Sequence, residues 1–145
     1  MTVDPALVTR KLLLVAADLD ALRPVADRGE PSYLGNPVDQ AFVERYLERL
    51  IGRMIDVNYH LLTGAGQPPP SDYYASFVRL GDLGALEPAF ARDIARAAGL
   101  RNRIVHEYDG LDPGKLFAAL TNALQDIPRY LGQVNEYLKR SATAE

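Results

Sequence analysis

Apolar residues recur at intervals of three and four along most of the chain, and no stretch alternates cleanly between apolar and polar, so the pattern predicts helices throughout. Five stretches open on a helix start signal. The first begins at Asp4-Pro5, an N-cap followed by proline in the first turn, and carries Val8, Leu12, Val15, Leu19 and Leu22 on one face. It runs to Pro24 or shortly beyond and ends before Gly29. Residues 29 to 35, GEPSYLG, read as a loop. Asn36-Pro37 then repeats the cap and opens a long helix reaching about Leu62. Its apolar stripe is Val43, Leu47, Leu50, Met54 and Leu61, while Arg45, Arg49, Arg53, Asp56 and His60 share a different face.

Residues 64 to 72, GAGQPPPSD, hold three consecutive prolines and must be extended chain. They do not divide two domains, because the two helices before them are too little to bury a core of their own. A third helix is predicted over roughly 72 to 80. A fourth starts at Pro88 after Glu87 and includes Phe90, Ile94 and Ala98, with Gly99 interrupting it. The last starts at Asp112-Pro113 and carries Leu116, Leu120, Leu124, Ile127, Leu131, Val134 and Leu138. Pro128 predicts a kink within it, and the tail SATAE is expected to fray. The expectation is one all-α domain over residues 1–145, an up-and-down bundle of about five helices.

Composition fits one such domain. With 145 residues and 48% apolar content the chain can form a single core, and 24% charged residues of both signs exclude a disordered chain. Cysteine is absent, which removes disulfides and thiolate zinc sites and favours a cytoplasmic setting. The apolar run LLLVAA near the N-terminus is too short for a signal segment or a membrane span, so no membrane association is expected. A net charge of -3 and a pI near 5.4 argue against coating nucleic acid by bulk electrostatics, and no DNA partner is expected. A local basic cleft remains compatible with that balance.

The densest chemistry lies at residues 101 to 110, RNRIVHEYDG. On a straight helix Arg101 and His106 point about 140° apart, whereas Asn102 and Arg103 each share a face with His106, and Tyr108 returns to the Arg101 side. Histidine moves protons near neutral pH, and the arginine fork matches a phosphate, so the group suits phosphodiester cleavage. The plain alternative is a hydrogen-bonded histidine at a helix end, solvated arginines and a half-buried tyrosine. Both stay open on the residues alone. Arg45, Arg49 and Arg53 either line an RNA groove or form a solvated face paired with Glu44, Glu48 and Asp56. His60 with Asp56 reads as an imidazole held by a carboxylate, and two ligands do not make a metal site, so no metal is expected. Tyr73, Tyr74 and Phe77 could stack bases, although packing is the commoner use of such residues. No glycine-rich phosphate loop is present, and no cofactor is expected.

Arg101, His106 and Tyr108 spell R-x4-H-x-Y, and in this the chain resembles the HEPN-domain toxins of the HepT family, known from type VII toxin-antitoxin systems. PPPSDYYASFVRLGDLGAL looks like that family's P-x-S-Y-x-x-x-F-x-x-L region, and ARAAGLRNRIVHEYDGLDP looks like its A-x-x-A-G-x-R-N-x-x-V-H-x-Y stretch. The resemblance runs from Val38 to about Pro113. It implies a HEPN-type bundle that forms a homodimer with two R-x4-H motifs facing one cleft, and a metal-independent endoribonuclease acting on RNA. Arg101 and His106 carry over as catalytic, and Asn102 matches the polar residue that follows the motif arginine. Arg103, Arg53 and Arg49 are the candidates for further RNA contacts. The resemblance also implies a minimal nucleotidyltransferase antitoxin that adds AMP to Tyr108. The competing class is a catalytically silent HEPN dimer serving as scaffold or nucleotide-binding partner. A four-helix hydrolase or kinase-like regulator is disfavoured by the lack of clustered carboxylates.

Overall fold

The computed structural model describes residues 3–107 and 111–144, and within these every regular element is an α-helix. Seven helices follow in order: α1 (Pro5–Asp27), α2 (Glu30–Leu34), α3 (Pro37–Gly64), α4 (Tyr73–Leu83), α5 (Pro88–Ile94), α6 (Arg96–His106) and α7 (Pro113–Ala144). The start signals work as the sequence predicts. Asp4 accepts from the Leu7 amide, Asn36 from Asp39, Asp72 from Ala75, and Glu87 from both Ala89 and Phe90.

The predicted stripes of α1, α3 and α7 meet in one core, with Val15, Leu22, Leu47, Leu50, Met54, Leu61, Leu120 and Val134 fully buried. α3 is the hub of the bundle. It packs on α1, α2, α4, α6 and α7, and α1 also lies against α7.

Several boundaries differ from the sequence reading, each for a physical reason. The segment expected as a loop after Gly29 forms α2, because Glu30-Pro31 starts a turn and Tyr33 anchors it, buried with its ring 5.3 Å from that of Phe117. The fourth predicted helix divides into α5 and α6 at the buried Ala95, and Gly99 lies inside α6. Packing sets that break: Phe90, Ala91 and Ile94 of α5 are buried, α5 rests mainly on α4, and α6 turns to lie on α3. α7 contains the exposed Pro128 within it, as the sequence pattern has it, and is helical to Ala144 where fraying was expected. Among the described residues there are thus seven helices in place of about five.

A buried polar chain ties the hub to its neighbours. The Tyr130 hydroxyl of α7 donates to Asn58 Oδ1 of α3 at 2.6 Å, Asn58 Nδ2 donates to Ser76 Oγ at 3.1 Å, and Ser76 donates to the Tyr73 carbonyl at 2.7 Å. Tyr130, Asn58 and Ser76 are fully buried, and burial raises the Tyr130 hydroxyl far above the usual tyrosine range, so it stays a neutral donor. Tyr130→Phe would leave Asn58 Oδ1 buried without its partner. The expected cost is about 1–3 kcal/mol, or a fall in Tm of roughly 3–10 °C read by thermal unfolding. An unchanged Tm would show that the chain contributes nothing.

Candidate functional site

Helix α6 presents the motif residues on two sides. Ala98 is buried and Ile104 and Val105 are half-buried, which fixes the helix against the bundle. Asn102, Arg103 and His106 are exposed on the outer face, and Arg103 and His106 occupy the last turn, where the helix dipole favours positive charge. A Cβ at Gly99 would lie 3.8 Å from the Arg103 Nη1, an ordinary contact, so the guanidinium lies over this glycine without requiring it. Arg101 is half-buried and turned inward, with its guanidinium 5.3 Å from the centre of the Tyr73 ring. The divergence predicted from helical geometry is therefore present: within one chain, Arg101 and His106 make no hydrogen bond to each other. Tyr108 lies outside the described residues.

Arg101 stands at one end of a groove of about 490 Å³ between α3, α4 and α6. Tyr59 and Tyr73 line it with rings edge to face, centroids 6.2 Å apart. Burial raises the Tyr59 hydroxyl, with the neighbouring Tyr73 and Asp72 adding to the effect. The α3 wall carries Glu48, Arg49, Gly52, Arg53, Ile55 and Asp56. The buried chain described above ends on the Tyr73 backbone, so it also fixes the start of the helix that supplies this ring.

Arg49 and Arg53 are not free cations. Both reach Asp18 of α1, Arg49 through two nitrogens with Nε at 2.9 Å from Oδ2, and Arg53 through Nη1 at 2.9 Å from the same oxygen. Asp18 is only 5% exposed, so this carboxylate is removed from water and held by two guanidiniums. The Arg49 guanidinium is correspondingly raised by its bond to Asp18, and it also lies over the Tyr46 ring at 4.5 Å. The sequence reading missed Asp18. Its signal was a carboxylate among the core positions Val15, Leu19 and Leu22 of α1.

The polar pairs expected on α3 form differently. Asp56 reaches Lys11 of α1 at 3.5 Å, and His60 Nε2 accepts from the Asp4 backbone amide at 2.9 Å. The two do not form an imidazole–carboxylate pair, because α1 supplies each with a nearer partner. Of the arginine face, only Arg45 meets an expected carboxylate, Glu48, at 3.9 Å. Phe77 belongs to the core, whereas Tyr73 and Tyr74 are exposed. Among the described residues, no group of three or more histidine, aspartate or glutamate side chains is placed to hold a metal ion.

The sequence matches the ribonuclease HepT-like family over residues 16–134. The chain belongs to this family. It is 35% identical over 136 residues to the tRNA nuclease HepT of Aphanizomenon flos-aquae, a match covering 94% of this chain and 92% of that protein. Two solved structures share the fold at 18% identity and a TM-score of 0.81. One is YutE of Bacillus subtilis, described as a cytosolic protein of unknown function, with 96% of this chain and 93% of that one covered. The other is the tri-AMPylated HEPN toxin of Shewanella oneidensis in complex with its MNT antitoxin, with 90% and 97% covered. The bundle is thus of the HEPN type, and the matched HepT-like region extends beyond the Val38–Pro113 stretch that carries the motifs. No helix among the described residues is long and apolar enough to cross a membrane.

Proposed function

We propose that this HepT-like ribonuclease is the toxin of a toxin-antitoxin pair, a metal-independent endoribonuclease that acts as a homodimer in the cytoplasm. The observation that carries the reading is the layout of α6, where Arg101 faces inward over Tyr73 while His106 and Asn102 project outward from the last turn. One copy offers a single motif histidine on an open face. A second copy docked on that face would add its own histidine, giving the acid and the base that phosphodiester cleavage uses.

In the reaction, the RNA 2′-oxygen attacks the adjacent phosphorus as one His106 takes its proton, and the bond from phosphorus to the 5′-oxygen breaks. The other His106 protonates that departing oxygen. Arg101 holds the phosphate and its developing charge, and Asn102, one helical turn before His106, orients the imidazole or the phosphate. Arg103 is exposed beside His106 and adds a phosphate contact, while Arg49 and Arg53 border the path at the groove. The 35% identical relative is named for tRNA, which makes tRNA the substrate class to try first.

Control would come from a minimal nucleotidyltransferase that adds AMP to Tyr108, two residues beyond His106. Each AMP brings a negative charge and bulk to the cleft, repelling and excluding the RNA. The AMPylated toxin with its MNT antitoxin among the fold relatives supports this scheme.

The test is a four-way growth measurement with mass spectrometry: wild type and Tyr108→Phe, each with and without the partner enzyme. Wild type should gain AMP and lose toxicity when the partner is present. Tyr108→Phe should gain no AMP and stay toxic. A variant still neutralised, with AMP on another residue, would remove Tyr108 from the scheme.

A further inference from the structure

Gly52 sits in the middle of α3, where glycine is the least favourable residue after proline. Close packing does not require it there, since a Cβ built at Gly52 meets nothing within 4 Å. What its missing side chain keeps open is the groove beneath Arg101. Glu48 and Asp56 lie one turn to either side of Gly52 on the same face of α3, and the Tyr59–Tyr73 pair and Arg101 complete the lining.

The lining of this groove mixes charges of both signs. Arg49 and Arg53 are held by Asp18 behind the wall, while Glu48 and Asp56 at the rim meet Arg45 and Lys11. Donors and acceptors placed around two aromatic rings suit a planar ligand with polar edges. The volume lies within the range of small-molecule sites. We propose that the groove is a subsite for one unpaired nucleobase of the RNA, which stacks against the tyrosines while its phosphate lies toward Arg101. The assignment rests on the ribonuclease reading and adds to it where the strand is held. The half-buried carboxylate of Glu48 accepts hydrogen bonds only, so bases with an exocyclic amino group, cytosine and adenine among them, are favoured over uracil, whose one donor, N3–H, sits between two carbonyl oxygens that a carboxylate repels.

The probes are fluorescently labelled hexanucleotides A6, C6 and U6 with 2′-O-methyl groups, which cannot be cut because the nucleophile is blocked. Wild type should bind A6 and C6 at least about fivefold more tightly than U6. Gly52→Leu fills the groove with a better helix former, so it should melt no lower than wild type yet bind about 5- to 100-fold more weakly. Glu48→Gln, which keeps the shape and adds an amide donor, should erase the preference over U6. Gly52→Leu binding all three probes as wild type does would overturn the subsite, and so would wild type binding none of them. The two readings fail separately. Protein that binds the probes through the groove but cuts no RNA overturns the nuclease alone, and protein that cuts RNA equally well with leucine at this position overturns the groove alone.

Discussion

His106→Ala and Arg101→Ala should each abolish RNA cleavage and growth inhibition while leaving the protein folded. Removing a positioned proton-transfer group costs about 10²–10⁴-fold in rate, and removing one group that stabilises developing charge costs about 10²–10³-fold. The fold should tolerate both changes. His106 is exposed in the last turn of α6, and among the described residues its side chain makes no hydrogen bond or ion pair. Arg101 loses its contact with the Tyr73 ring, an interaction worth about 0.5–1 kcal/mol at such a site. Arg101→Lys separates charge from shape: it keeps the positive charge without the planar fork, and should recover only part of the rate. Cleavage of total tRNA by purified protein, with circular dichroism and light scattering as controls, reads all three. Wild-type cleavage by either alanine variant would strip that residue of its role. A variant that loses the dimer along with activity would instead make its residue part of the interface.

Much of the helical layout is legible in the sequence, because caps and spacing are local. Asp4, Asn36, Asp72 and Glu87 each bond to the amides that their positions predict. The stripes of α1, α3 and α7 are the core that they announce. The failures come where tertiary packing outranks local signals. Gly99 is a plausible helix breaker, yet the turn falls at Ala95, where α5 and α6 face different neighbours. Tyr33 alone anchors a helix too short to show any period. Asp56 and His60 are spaced to meet, but spacing permits a pair without compelling it, and Lys11 and Asp4 arrive from a helix about fifty residues earlier. The motif at Arg101 and His106 is readable as a string, and even its divergence follows from helical geometry. The groove is not readable in the same way, because it needs Tyr59, Tyr73 and Gly52 from two helices to be brought to Arg101 on a third.

Asp18 gives the other large effect, with opposite signs for stability and for RNA binding. It is buried, and its carboxylate holds Arg49 and Arg53 together at the groove wall. Breaking a fully buried ion pair from one side costs about 3–5 kcal/mol, but here the guanidiniums reach solvent, with 36% and 26% of their side chains exposed. Water can then compensate the released cations in part. Asp18→Asn should therefore cost about 1–3 kcal/mol, a fall in Tm of roughly 3–10 °C. The same change unmasks positive charge beside the groove. Binding of uncleavable RNA at low salt should strengthen, the preference among bases should fall, and the salt dependence should steepen by about 0.7 in log–log slope for each phosphate newly contacted. If Arg49 and Arg53 instead already grip the strand and Asp18 only aims them, Asp18→Asn should weaken binding and flatten that slope. The sign of the slope change, measured by fluorescence anisotropy across a salt series, decides whether these arginines contact phosphate in the native protein or are kept from it by Asp18.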